Sequence, residues 1–240
     1  VKKQTQFIIA GVILLLIGLG TTFYFVSGTK KDTAEIKNIY GLVDGSQEEL
    51  ETIQKYLKPS KSKLLLWDEA NENNIKNMNL KNFKIIHFAT HGELAGTIKG
   101  QNEPFLVLSP PDIGTNENDG LLTLSEIMNL ENNAELVILS ACNTAGGNIK
   151  QSEGFSGLAR AFLFSGSKSV LVSNWYVETY AAMELTTGMM EQIKDNPKIS
   201  GSKALTSSMK NFINNNKEKS HPFYWAPFVI VGLNSNININ

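Results

Sequence analysis

The chain holds one cysteine and three histidines, so thiol chemistry has few places to go. Cys142 closes the run LVILSAC, and His91 follows the run IIHFAT. A thiol attacks a carbonyl only as the thiolate, and a free cysteine titrates near ~8.5. A neighbouring imidazolium holds the thiolate and later returns its proton to a leaving amine. Gly92, directly after His91, lets a substrate approach the backbone. The N–H groups of Gly92 and Cys142 are candidates for binding a developing oxyanion, and losing one such donor typically costs about 2.7–4 kcal/mol. Taken singly these residues are ordinary. A lone cysteine at the end of a buried strand is more often a small inert hydrophobe. His87, inside the apolar run, reads as structural, and His221 in HPFYWAP reads as a packing or loop residue. What sets His91 and Cys142 apart is their shared placement at the ends of two strands.

The elements that must carry them alternate between strand and helix patterns. Apolar runs at residues 36–43, 63–67, 83–90, 135–141, 169–173 and 226–232 read as strands. The run FKIIHFAT is apolar on both faces, as inside a parallel sheet. Helices are expected at residues 46–57, 71–78, 124–130, 152–165, 177–194 and 202–212. Ser46 with Glu49, and Thr123 with Glu126, have the spacing of capping boxes. Gly166 suits the end of the helix over 152–165. A β-hairpin arm is expected around residues 105–109, followed by the Pro110-Pro111 break. Alternation of this kind indicates an open α/β sheet with helices on both faces, where ligands bind beyond the carboxyl ends of the strands. Both IIHFAT and LVILSA end at that edge.

From Phe7 to Val26 the sequence FIIAGVILLLIGLGTTFYFV carries no charge. Its 20 residues, at about 1.5 Å each, match the roughly 30 Å of a bilayer core, which reads as an N-terminal transmembrane anchor. A cleaved signal peptide would usually have a shorter apolar core. Lysines flank the run on both sides, so the positive-inside rule leaves the side of the domain undecided. Reduced-thiol chemistry favours the cytoplasmic side. The layout expected is an anchor over 1–27, a linker over 28–35, one domain over 36–233 and a disordered tail over 234–240. The formal net charge of -1 over 240 residues gives no electrostatic reason to expect nucleic-acid binding. A single cysteine excludes intrachain disulfides and Cys-cluster zinc sites.

Five blocks then carry a resemblance: IIHFATHGEL (85–94), DGLLTLSEIMNL (119–130), AELVILSACNTAGG (134–147), EGFSGLARAFLFSGSKSVLVSNW (153–175) and HPFYWAPFVIVG (221–232). In this order they resemble the CHAT peptidases, a bacterial-rich branch of the caspase-like clan of cysteine peptidases. Caspases carry their histidine about 50 residues before a Q-A-C-[RQG]-G motif; here Cys142 stands 51 positions after His91 and keeps Ala141 before it. The resemblance implies a caspase-like fold, with His91 as general base and Cys142 as nucleophile. It puts Trp175 at the end of the fifth strand, shaping the site rim or packing.

The function so implied is a membrane-anchored cysteine endopeptidase acting on polypeptide substrates, with no metal or organic cofactor and with scope for an activating protein partner. Glu93, Asp119, Glu153 and Glu178 are candidates for lining a pocket for a basic residue, although carboxylates are normally solvated surface groups. The rival reading is a catalytically silent CHAT-like interaction module. A zinc site from His87 and His91 at i, i+4 needs a helix that FKIIHFAT does not favour. A serine-hydrolase elbow at Gly154 fails because Leu158 replaces the final glycine.

Overall fold

The computed structural model describes residues 31–33, 36, 39–40, 43–57, 62–140, 152–234 and 236–237, with the backbone alone at 31–32 and 152–156. Its centre is a four-stranded sheet. Strands β2 (Ile85–Ala89), β7 (Leu136–Ser140) and β8 (Ser169–Ser173) run parallel, and β9 (Phe228–Gly232) pairs antiparallel with β8. The order is β2-β7-β8-β9. Every residue of β7 and β8 is buried. Alternate side chains therefore serve two cores. Val137, Leu139, Val170 and Val172 join one cluster, while Leu136, Ile138 and Leu171 join the other.

Helices cover both faces, as the alternating pattern predicts. On the first face lie α3 (Leu124–Met128) and α4 (Ser152–Phe164), which contribute Ile127, Leu158 and Phe162. On the second lie α1 (Ser46–Tyr56), α5 (Thr179–Asp195) and α6 (Gly201–Asn215), contributing Ile53, Leu185, Met189 and Phe212. Each such apolar side chain, fully buried, is worth about 1.5–3 kcal/mol. Two short helices complete the set, α2 (Glu72–Lys76) and α7 (Pro222–Trp225). Thr123 and Glu126 close the expected capping box. Gly166, at φ 115°, ends α4, and its N–H donates to the Leu163 carbonyl. A Cβ there would stand 2.1 Å from the Asn132 carbonyl oxygen, so glycine is required.

A second, antiparallel sheet joins β3 (Gly92–Glu93), β4 (Phe105–Val107) and β6 (Leu121–Thr123) in the order β3-β4-β6. This is the arm expected near Phe105. A two-stranded pair links β1 (Lys31–Asp32) to β5 (Ile113–Gly114). Part of the expected linker is thus fastened to the loop after Pro111, and buried Thr33 donates its hydroxyl hydrogen to the Pro111 carbonyl, 2.5 Å away.

Several expectations are corrected. The run 36–43 is not a strand where it is described. Ile36 and Ile39 are helical, and the Tyr40 N–H donates to the Ile36 carbonyl at 3.0 Å. Apolar residues at 36 and 40 fit a helical turn as well as a strand, and Ile36 and Tyr40 pack on Phe105, Val107 and Leu121. Residues 63–67 join no ladder. Leu66 is extended, but Trp67 turns to φ 54° and opens a 3-10 turn. Ser46 and Glu49 form no capping box: Gly45 caps α1 at φ 78°, and Glu49 turns inward. The tail is fastened at Asn236, which bridges to Ser200, and at Ile237, which is 1% exposed. The apolar run Phe7–Val26 lies outside the described residues. Among the described residues no helix is long and apolar enough to cross a membrane.

Candidate active site

His91 stands where the chain leaves one sheet for another. β2 ends at Ala89, β3 begins at Gly92, and His91 lies in the step between. Its carbonyl accepts the Val107 N–H at 2.9 Å, while the Thr90 hydroxyl donates to the Val107 carbonyl. β4 thereby clamps the step from both sides. Gly92 pairs with Leu106 and is buried.

β2 and β7 are neighbours, with Ala89 opposite Ser140 as the last pair of their ladder. His91 and Cys142 are each two residues beyond that pair in sequence. Cys142, both as nucleophile and as backbone donor, lies outside the described residues.

The Tyr40 ring packs on the His91 ring at a centroid distance of 5.5 Å and a tilt of 47°. Its buried hydroxyl has no hydrogen-bond partner among the described residues. Burial, then the nearby Glu93 carboxylate, pushes its pKa up to about 12. Tyr40, His87 and His91 line one groove of about 910 Å³, walled by α1, residues 62–67 and β2.

Among the candidate pocket carboxylates, Asp119 and Glu178 have local structural roles. Glu93 is 4% exposed and close enough to Tyr40 to bias its ionisation. Asp119 is 3% exposed, and its Oδ1 accepts the Leu121 N–H at 2.9 Å, so it shapes the turn into β6. Glu153 falls on the first turn of α4, where only the backbone is described. Glu178 caps α5 by accepting the Ala181 N–H at 3.2 Å and pairs with Lys219 at 3.0 Å. Trp175 is 37% exposed, and its indole N–H donates to the Phe223 carbonyl at 3.1 Å, tying the exit of β8 to α7. Structural hydrogen bonds therefore engage Asp119, Glu178 and Trp175. His221 accepts the Phe223 N–H on its Nδ1 as the cap of α7. Among the described residues no three His, Cys, Asp or Glu side chains converge as a metal site.

Two features escape the sequence reading. Tyr40 sits in a run that reads as a strand, where nothing points it at His91. Glu49 has the spacing of a capping residue, yet it is 3% exposed and reaches His87, Ser140 and Thr186. Its spacing of four from Ile53 on one face of α1 is the signal that could have revealed an inward carboxylate.

The family model of the CHAT domain matches residues 15–233. The chain belongs to the CHAT domain family. Two similar proteins are tetratricopeptide repeat protein 28 of mouse, 32% identical over 118 residues, and of human, 26% identical over 180 residues. These alignments cover 49% and 64% of this CHAT chain. They take in only 5% and 7% of the two relatives' length.

Proposed function

We propose that this CHAT domain is a cysteine endopeptidase in which Cys142 is the nucleophile and His91 its proton carrier. The observation that carries the reading is the register of β2 and β7: the ladder closes at Ala89 opposite Ser140, and each proposed catalytic residue comes two positions after its strand. Neighbouring parallel strands that stop together deliver their next residues to the same sheet edge. The groove beside His91 is within the size range of ligand-binding clefts.

In this mechanism the Cys142 thiolate attacks the scissile carbonyl, forming a carbon–sulfur bond. The backbone N–H groups of Gly92 and Cys142 receive the oxyanion. Collapse breaks the carbon–nitrogen bond, and His91 gives its proton to the leaving amine. Water, deprotonated by His91, then cleaves the thioester, leaving a carboxylic acid product and the free thiol. A membrane anchor at residues 7–26 would confine this cleavage to membrane-proximal substrates, and extraction at alkaline pH tests it: release into the soluble fraction removes the anchor from the reading.

The test of the chemistry compares protein N-termini generated in cells carrying the wild type, Cys142→Ala and His91→Ala. New termini that need both residues support the peptidase. The repeat-protein names of the two relatives favour a second reading, a protein-interaction module. Partner capture that survives both substitutions, with no dependent cleavage, selects it.

A further inference from the structure

Glu49 carries a buried carboxylate that the proposed chemistry does not use. It caps no helix, since Gly45 does that without it. Its Oε2 accepts the Ser140 hydroxyl at 3.1 Å, and its Oε1 accepts the Thr186 hydroxyl at 2.7 Å. His87 Nε2 approaches Oε1 to 2.9 Å, although neither ring nitrogen of His87 completes a hydrogen bond among the described residues. Ser140 and Thr186 are 6% and 0% exposed, and the His87 side chain is 8% exposed.

The partners are informative by position. His87 is on β2, four residues before His91. Ser140 is the last residue of β7, two before Cys142. Thr186 is on α5. His87 pairs across the ladder with Ile138, which shares a face with Ser140. One carboxylate from α1 thus hydrogen-bonds the last residue of β7 and α5 and lies against His87 on β2, touching both strands whose continuations hold the proposed nucleophile and base. A polar side chain is costly to bury when packing alone would serve. An apolar side chain would fill this space but could not fix the strand ends relative to one another.

We propose that Glu49 is a positioning residue for the Cys142–His91 pair, acting through Ser140 and His87. The inference rests on the peptidase reading. It is tested in the full chain by the rate at which iodoacetamide alkylates Cys142, measured by mass spectrometry, with thermal unfolding run in parallel. His91→Ala tests the reading itself: an unchanged alkylation rate means that the two residues are not paired, and overturns both the reading and the inference. Given a slowed rate there, Ser140→Ala is expected to slow alkylation about tenfold, short of the roughly 10²-fold that a 1 Å misplacement can cost, and Ser140→Thr, which keeps the hydroxyl, to restore it. Glu49→Gln, which keeps the size and one acceptor oxygen, gives the same result and stands in should Ser140→Ala lose its cooperative melt. Wild-type alkylation in Ser140→Ala and Glu49→Gln, beside a slowed His91→Ala, overturns the inference alone. So does a slowed Ser140→Ala that Ser140→Thr fails to restore, because packing would then explain the loss.

Discussion

Glu72 tests whether the loop before β6 is held by a buried ion. Its carboxylate is 0% exposed. Oε2 accepts the backbone N–H groups of Asp119 and Gly120 at 2.6 and 2.5 Å, and Oε1 accepts Lys76 Nζ at 2.8 Å. Lys76 also reaches Glu126 Oε1 at 2.7 Å and the Glu117 carbonyl at 2.5 Å. Glu72→Ala leaves two buried N–H groups without acceptors, each worth about 1–3 kcal/mol. Lys76, a quarter exposed, keeps Glu126 and the Glu117 carbonyl as partners, so the two N–H groups set the size of the loss. The expected fall in unfolding free energy at neutral pH is therefore about 2–6 kcal/mol, read from urea titrations with an unchanged slope. The pH dependence gives a second check. Burial raises the Glu72 carboxyl above its ordinary value of 4.5, outweighing the hydrogen bonds from Lys76 and Gly120. A raised value means that the folded state holds the proton more tightly than the unfolded chain. Its contribution is then fully present below 4.5 and falls as pH rises through the folded value. The stability of wild type relative to Glu72→Gln should thus decline from mild acid toward neutrality. A loss under about 1 kcal/mol in Glu72→Ala, or a wild-type advantage over Glu72→Gln that grows with pH, would refute this account.

Single contacts give three further expected outcomes. Tyr40→Phe removes a buried hydroxyl that has no partner among the described residues, so stability at neutral pH should hold or rise, and the phenolate step near 12 should vanish from the ultraviolet titration. In the wild type that raised value makes stability fall as pH climbs from 10 toward about 12. Gly166→Ala forces a left-handed residue against the Asn132 carbonyl and should cost about 1–3 kcal/mol by thermal unfolding. Glu178→Ala loses the cap of α5 and the Lys219 pair, lowering stability by about 1–2 kcal/mol. In a cleavage assay it should leave the preferred residue at the cut unchanged, and a lost preference for basic residues would return Glu178 to the substrate pocket.

The legible parts of this chain are those where one physical signal dominates. Residues 169–173 are apolar and β-branched between turn signals, and β8 occupies those positions. Thr123 and Glu126 satisfy each other locally, so their capping box needs no tertiary help. Ambiguity begins where two periods fit one run. Ile36 and Tyr40 suit a helical turn, and the third core, at Phe105 and Leu121, decides between the readings. Glu49 misleads because a capping glutamate and a buried one share a spacing from Ser46. Only the polar partners arriving from β2, β7 and α5 distinguish them, and those are 38, 91 and 137 residues away in the chain. Asp119 and Glu178 show a similar ambiguity, since an acidic residue can close a turn or cap a helix as readily as it can meet a ligand.

The position of His91 has a structural logic of its own. A residue within β2, such as His87, has its backbone held by the ladder with β7 and its side chain set by the pleat. A residue on a free loop would be presented to solvent without a fixed direction. His91 is in neither condition, because the chain passes from the central sheet into the β3-β4-β6 sheet across it, and Val107 binds the step through both its N–H and its carbonyl. Two sheets thus fix the backbone at a point that belongs to neither, leaving the imidazole at the groove wall beside Tyr40. A backbone so held fixes the root of the side chain without strand pairing of its own, which is what the proposed role of His91 as a proton carrier requires.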